Sequence, residues 1–276
     1  MSIKNAAKFV LPRSVTNRIR VSQYRWALRH FQPYQVRRTR AGFQFELWIS
    51  DPTALSWYDR DSAEVPPEIS FLAKHRLRAG AIVFDCGAFQ SLIAMMLARF
   101  VGADGKVVAV EANPHNYEVG LRNCRLNDAR NVEVVHAAVS DSFDPVEINY
   151  RLNGQVDDGS GQWGRVSVPS ISVDELTRRF GAPDVLFIDV EGFEAKVLRG
   201  GSETLSRHRP DCFIEMHVGC GLETFGGSVK SITDTLQGLG YHLSAGDPEL
   251  SIFTPFSAES PIVKKRFFLI ATRDAG

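Results

Sequence analysis

Residues 81–112 decide the fold: Ala81-Ile82-Val83-Phe84-Asp85-Cys86-Gly87-Ala88-Phe89-Gln90-Ser91, then the apolar stretch Leu92 to Phe100, then Lys106-Val107-Val108-Ala109-Val110-Glu111-Ala112. The apolar run Ala81–Phe84 predicts a buried strand, with Asp85 and Gly87 at its tip. Leu92–Phe100 predicts a helix, and Lys106–Val110 predicts a second strand ending in the acid Glu111. Strand, tight turn, helix and acid-tipped strand make the first half of a Rossmann-like unit, which holds an adenosine where the strand order reverses.

The same rhythm extends outward in both directions. Asn113-Pro114 is a helix start, an Asn cap with Pro at the first helical position, and the helix is expected to run to about Asn127. A third strand is expected over Val132–Val139. Val146–Leu152 and Arg165–Val168 read as a hairpin insertion (143–168) around the Gly- and Asp-rich loop 153–161, a flap or tip. Then come a helix over Val173–Phe180, a buried strand Val185–Ile188 ending at Asp189, and a helix Phe193–Arg199 stopped by Gly200-Gly201. Cys212-Phe213-Ile214 is a fifth strand tipped by Glu215 and His217; a helix near Val229–Leu239 and a strand Arg266–Thr272 close the sheet. Short apolar strands between amphipathic helices imply a mostly parallel sheet covered on both faces. Upstream, Phe43–Ile49 reads as an edge strand and Glu68–Leu77 as a helix after Pro66-Pro67.

Composition narrows the class. The 276 residues are 44% hydrophobic, enough for a sizeable core, and carry 32 basic and 32 acidic side chains. Residues 1–40 hold ten of the basic ones and no acid, leaving an acidic body for which duplex nucleic acid is a poor substrate. The expected division is a basic appendage over 1–42 and one catalytic domain over 43–276. The appendage has no clean amphipathic face; it reads as solvated or loosely packed, with a weak membrane-surface or acidic-partner contact, or a transit segment, as the alternatives. No apolar run reaches the roughly 18 residues a membrane span needs, and no secretory h-region is evident. Cys86, Cys124, Cys212 and Cys220 lack paired spacing, which predicts reduced thiols and a cytoplasmic setting.

The missing glycines select the ligand. A dinucleotide needs Gly-x-Gly-x-x-Gly so that its pyrophosphate can approach the backbone. Here the turn keeps Gly87 alone, and side chains at Phe89 and Ser91 crowd a pyrophosphate. S-adenosyl-L-methionine carries no phosphate, so one glycine suffices, and Glu111, 24 residues on, is placed to accept both ribose hydroxyl protons. A nucleotide-dependent oxidoreductase is disfavoured by the same absence.

The segments Val83-Phe84-Asp85-Cys86-Gly87-Ala88, Val110-Glu111-Ala112-Asn113-Pro114 and Ile188-Asp189-Val190-Glu191-Gly192-Phe193-Glu194, with Val197-Leu198-Arg199-Gly200, resemble the FkbM-type methyltransferases. Ser172-Val173-Asp174-Glu175-Leu176 and Ile214-Glu215-Met216-His217 fit the same pattern, so the resemblance spans roughly Phe43 to His217. It implies a class I methyltransferase fold, a seven-stranded, mostly parallel sheet, and O-methylation of a hydroxyl on a small molecule or sugar. Asp85, Gly87, Ala88, Glu111, Ala112 and Ala138 are the positions expected to hold S-adenosyl-L-methionine. The sequence departs from the family's first motif, Asp-x-Gly-Ala-Asn-x-Gly, at Phe89 and Ser91. Ser91 is placed to cap the helix starting at Leu92. The same departure motivates the alternative of an inactive, methyltransferase-like binding or scaffold protein.

On the acceptor side, the strands ending at Asp189 and His217 are expected beside the one ending at Asp85. Asp189, Glu191, Glu215 and His217 then converge over the transferred methyl group, His217 as proton acceptor and Asp189 and Glu191 as orienting groups. The two acids also suit a hard divalent cation, but the sequence offers no further obvious ligand and no metal site is assigned. Glu194, in the first turn of its helix, is expected to be structural.

Overall fold

The computed structural model describes residues 22–23, 25–149, 164–246, 252–257, 259–260 and 265–273. In chain order the elements are β1 (Tyr34–Arg40), β2 (Phe43–Ile49), α1 (Pro52–Tyr58), α2 (Pro67–Leu72), β3 (Ile82–Cys86), α3 (Leu92–Val101), β4 (Lys106–Glu111) and α4 (Pro114–Leu126). They continue with β5 (Val132–His136), β6 (Ala138–Val139), β7 (Val146–Asn149), β8 (Arg165–Val168), β9 (Ser170–Ile171), α5 (Val173–Phe180) and β10 (Val185–Ile188). The last are α6 (Glu194–Gly200), α7 (Ser202–Arg207), β11 (Asp211–His217), α8 (Val229–Gly238), β12 (His242–Gly246), β13 (Phe253–Pro255) and β14 (Arg266–Thr272).

The main sheet has the order β13-β12-β14-β11-β10-β3-β4-β5. Strands β5, β4, β3, β10 and β11 run parallel, and β14 inserts antiparallel between β11 and β12. This is the class I methyltransferase sheet with one addition: the expected seven strands are eight because β13 pairs on the β12 edge. Chain order reverses between β3 and β10, so a crevice opens at their carboxyl ends.

Alternation along the central strands explains the two layers. Val83, Val107, Ala109, Val185 and Phe187 face a core shared with β2, α1 and α3, while Phe84, Val108, Val110, Leu186 and Ile188 face one shared with α5, α6 and α8. Successive strand residues point to opposite faces, and here both faces are dry. Each Val, Leu, Ile or Phe side chain so buried contributes about 1.5–3 kcal/mol.

Several boundaries differ from the sequence expectation. The division at 42/43 falls in the turn of the β1–β2 hairpin, where Tyr34 to Arg40 pair residue by residue with Ile49 to Phe43. The single third strand is two, because β6 leaves the main sheet to pair with β9. The hairpin insertion appears as the β7–β8 pair, and its loop 153–161 lies outside the described residues, as do residues 1–21 of the basic leader. Helix α2 ends at Leu72 rather than Leu77.

Candidate active site

The crevice is an open cleft at the carboxyl ends of the strands. Gly87, Glu111, Ala112 and Ala138 line one side, and Asp189 and Glu191 line the other. Glu215 and His217 stand behind the acids rather than on the wall, and Asp85 and Ala88 lie beneath it, 2% and 3% exposed.

Glu111, at the tip of β4, is buried but faces the cleft. One carboxylate oxygen accepts the backbone N–H of Phe89 and the other that of Asn113, each at 2.8 Å. Asn116 Nδ2 also reaches the Asn113-bound oxygen, at 3.5 Å, so the oxygen bonded to Phe89 is the one that keeps a lone pair for a further donor. Burial pushes its pKa up to about 8 despite the Asn113 and Phe89 bonds. Asp85 is pushed up to about 7 by burial alone, and its Oδ2 has no partner among the described residues.

Gly87 has φ +98, and a Cβ there would lie 1.8 Å from the Asp189 carbonyl oxygen. The lone glycine is thus demanded by the close approach of the β3 and β10 tips. Phe89 and Ser91 both have left-handed backbones, φ 48 and 65. That conformation favours Gly and Asn and costs other residues about 1–2 kcal/mol, which explains the motif from which this sequence departs. Phe89 offsets the cost by packing against Trp57 and Tyr58 at ring separations of 5.0 and 5.6 Å, contacts worth about 0.5–1.5 kcal/mol each. Its ring forms a wall and leaves the hollow open. Ser91 occupies the N-cap position of α3 but makes no capping bond, since a capping side chain needs an extended backbone. Its Oγ instead points at Gly120 of α4, where an added Cβ would come within 2.5 Å.

On the opposite wall, Glu191 also has a left-handed backbone (φ 52), followed by Gly192, whose absent Cβ makes room for Gly221. Strain of this kind, about 1–3 kcal/mol, concentrates at functional sites. Burial, then the charges of Glu215 and Glu191, raise the pKa of Asp189 well above the carboxylate range, against a smaller opposing effect of Arg266. Arg266 pairs with Glu215 at 2.6 Å. His217 is fully buried; its Nδ1 donates to Glu194 Oε1 at 2.6 Å. Burial works against the imidazolium, but the Glu194 bond and the charges of Glu194, Glu191 and Glu215 outweigh it and raise the His217 pKa. His217 is fully buried and off the cleft lining, whereas Asp189, whose side chain is 37% exposed, lines the cleft.

Three residues of the site escaped the sequence reading. Glu194 turns inward from the first turn of α6, fully buried, to hold His217 and the Gly192 N–H. Trp57 reaches the cleft from α1, a helix whose start was legible in Asp51-Pro52, since Asp51 caps it with bonds to Thr53 and Ala54. Arg266 arrives on β14, whose antiparallel place beside β11 no local pattern announces.

Residues 85–243, more than half of the chain, match the family described as the methyltransferase FkbM domain. The chain belongs to the FkbM methyltransferase family. These are S-adenosylmethionine-dependent enzymes, and the cleft fits that cofactor through the Glu111 carboxyl, whose Phe89-bound oxygen keeps a lone pair, and the phosphate-free turn at Gly87. Among solved structures, an FkbM methyltransferase from Methylobacillus flagellatus KT is similar over 69% of this chain and 43% of that one, at 16% identity and a TM-score of 0.45. The FkbM chain described here thus spans less than half of that protein. An S-adenosylmethionine-dependent O-methyltransferase from Thermotoga maritima is similar over 88% and 78% of the two chains, at 16% identity and a TM-score of 0.45. Aeropyrum pernix fibrillarin with natively bound S-adenosylmethionine matches over 74% and 73%, at 15% identity and a TM-score of 0.45. No curated protein matches the sequence. No helix among the described residues is long and apolar enough to cross a membrane.

Proposed function

We propose that this FkbM methyltransferase methylates a hydroxyl oxygen of a small molecule or sugar. The observation that carries the reading is the meeting, across Gly87, of a ribose-type acceptor (Glu111) and a paired-acid wall (Asp189 and Glu191) in one cleft. When bound, S-adenosylmethionine supplies an electrophilic methyl group on a sulfonium sulfur that leaves as a neutral thioether. The protein's own residues have two tasks. Glu111, Gly87, Ala112 and Ala138 hold the adenosine end. Asp189 Oδ2 and Glu191 orient the acceptor hydroxyl, and Asp189 takes its proton; a base within reach contributes roughly 10²–10⁴-fold. Alignment supplies more, since effective molarities reach about 10⁵–10⁸ M. Asp85 and Ala88 support the turn from beneath, and Glu215, His217 and Glu194 fix the acids from behind.

The acidic body disfavours nucleic acid as the acceptor. Three buried cysteines, Cys86, Cys124 and Cys212, none of them in a disulfide, support a reducing, cytoplasmic setting. The test is incubation of the full chain and metabolite extracts with isotopically labelled S-adenosylmethionine, followed by mass spectrometry. Label on an ether oxygen supports the proposal; label on nitrogen or carbon refutes the O-methyl assignment. A protein neither binding nor thermally stabilised by the cofactor would instead be a scaffold.

A further inference from the structure

We propose that Asp189, Glu215 and His217 form a binding site for a first-row divalent metal cation such as Mn²⁺ or Zn²⁺, with Glu191 beside it and Glu194 positioning the imidazole. The ligand-capable atoms of the first three residues lie within 4.8 Å of one another. His217 is fully buried, and its Nε2 has no hydrogen-bond partner among the described residues; the same is true of the buried Asp189 Oδ1. From Nε2 the distances are 3.7 Å to Asp189 Oδ1, 3.6 Å to Glu191 Oε2 and 3.9 Å to Glu215 Oε1. All three exceed a hydrogen bond. They approach the edges of a coordination shell instead, since a tetrahedron with arms of about 2.1 Å has edges of roughly 3.4 Å.

The imidazole is oriented for this role. Its Nδ1 donates to the buried Glu194, which leaves the lone pair of Nε2 aimed at three carboxylates. A carboxylate holding the far nitrogen of a ligand histidine is the recurrent support of metal sites. The charges agree: Asp189, Glu191 and Glu215 gather near Nε2 and Glu194 holds Nδ1, with Arg266 placed against Glu215 and Glu191. An imidazole among carboxylates suits Mn²⁺ or Zn²⁺ better than an all-oxygen cation such as Ca²⁺. Asp189 and Glu191 also line the cleft, so the cation would face the acceptor end. Its catalytic sense, acidifying the acceptor hydroxyl while Asp189 Oδ2 stays free for the proton, rests on the O-methylation reading; the binding itself does not.

The experiment is a titration of chelator-treated full chain with Mn²⁺ alone, free ion followed by electron paramagnetic resonance, and repeated with Zn²⁺ by calorimetry, with no cofactor or acceptor present. One saturable ion per chain is expected, weakened at least tenfold by Glu215→Gln and about 10- to 100-fold by Glu194→Gln. Glu215→Gln changes one partly exposed carboxyl, and its fold is checked by circular dichroism, so the test survives failure of His217→Ala to fold. Absence of saturable binding of either ion, or equal affinity in wild type and Glu215→Gln, overturns the site. Because no turnover is read, a negative result here is separable from failure to find a methyl acceptor.

Discussion

Truncating Glu111 to alanine should damage two things that the structure ties together. The carboxylate accepts two backbone N–H groups at 2.8 Å, and one of them belongs to Phe89, whose left-handed backbone needs holding. A buried donor left without an acceptor costs about 1–3 kcal/mol, so two cost roughly 2–6 kcal/mol. Water entering from the open cleft recovers part of this, which puts the expected loss near 2–3 kcal/mol. At about 2–4 °C per kcal/mol for a chain of this size, the cofactor-free protein should melt roughly 5–10 °C lower. On the proposed ribose role, cofactor binding should lose one to two bonds to the Glu111 carboxyl, about 1.5–3 kcal/mol each, or roughly 10- to 10⁴-fold in Kd. Differential scanning fluorimetry and titration calorimetry with S-adenosylmethionine read the two effects separately. Glu111→Gln, which keeps one oxygen, should show about half of the alanine variant's stability loss. An unchanged Tm together with an unchanged Kd would refute both roles; a lowered Tm with wild-type Kd would leave Glu111 as a pin for the turn and nothing more.

Buried Asp85 and Glu111, raised to about 7 and about 8, bind their protons more tightly folded than unfolded, where such groups titrate near 4. Their contribution to stability is complete below pH 4 and is lost as pH rises through 7 and 8, so the cofactor-free Tm should decline from pH 6 to 9, less steeply in Asp85→Asn; matching slopes in the two proteins contradict this. Gly120→Ala should cost about 1–3 kcal/mol by driving a Cβ onto Ser91 Oγ, and far less in a Ser91→Gly background. Denaturant melts of the four proteins measure the coupling, and additive effects would show that Ser91 and Gly120 do not share that space. Turnover should rise with pH along a limb set by the raised pKa of Asp189, above the ordinary carboxylate range, because the acceptor's proton can enter only the ionised form. Initial rates from pH 5 to 9 test it, and persistence of the limb in a residually active Asp189→Asn removes Asp189 as the base.

Local pattern carried most of the fold. Helix α5 and strands β10 and β14 begin and end where their apolar runs do, and the Asn113-Pro114 start of α4 is capped by Asn113 as its residue types require. The strands at risk were those defined by a distant partner. Nothing in Tyr34–Arg40 is apolar enough to announce β1, which exists because β2 pairs with it, and β13 is three residues long on an edge. Likewise Val132–Val139 is one extended run in sequence, and only pairing with β9 divides it.

What the sequence determined by itself was the kind of site: acids at strand tips, a single-glycine turn and a Glu-Gly corner, since these follow from period, spacing and backbone preference. Tertiary structure alone decided the division of labour among them. Whether a carboxylate reaches solvent, crowds other carboxylates or holds an imidazole depends on which strands lie side by side. Glu194 and Glu191, three residues apart, face the core and the cleft respectively. His217 is turned from a surface base into a buried group because Glu194 anchors one nitrogen and the acids of β10 and β11 cover the other. Chain-distant packing sets desolvation and charge, and no reading of neighbours along the chain contains either.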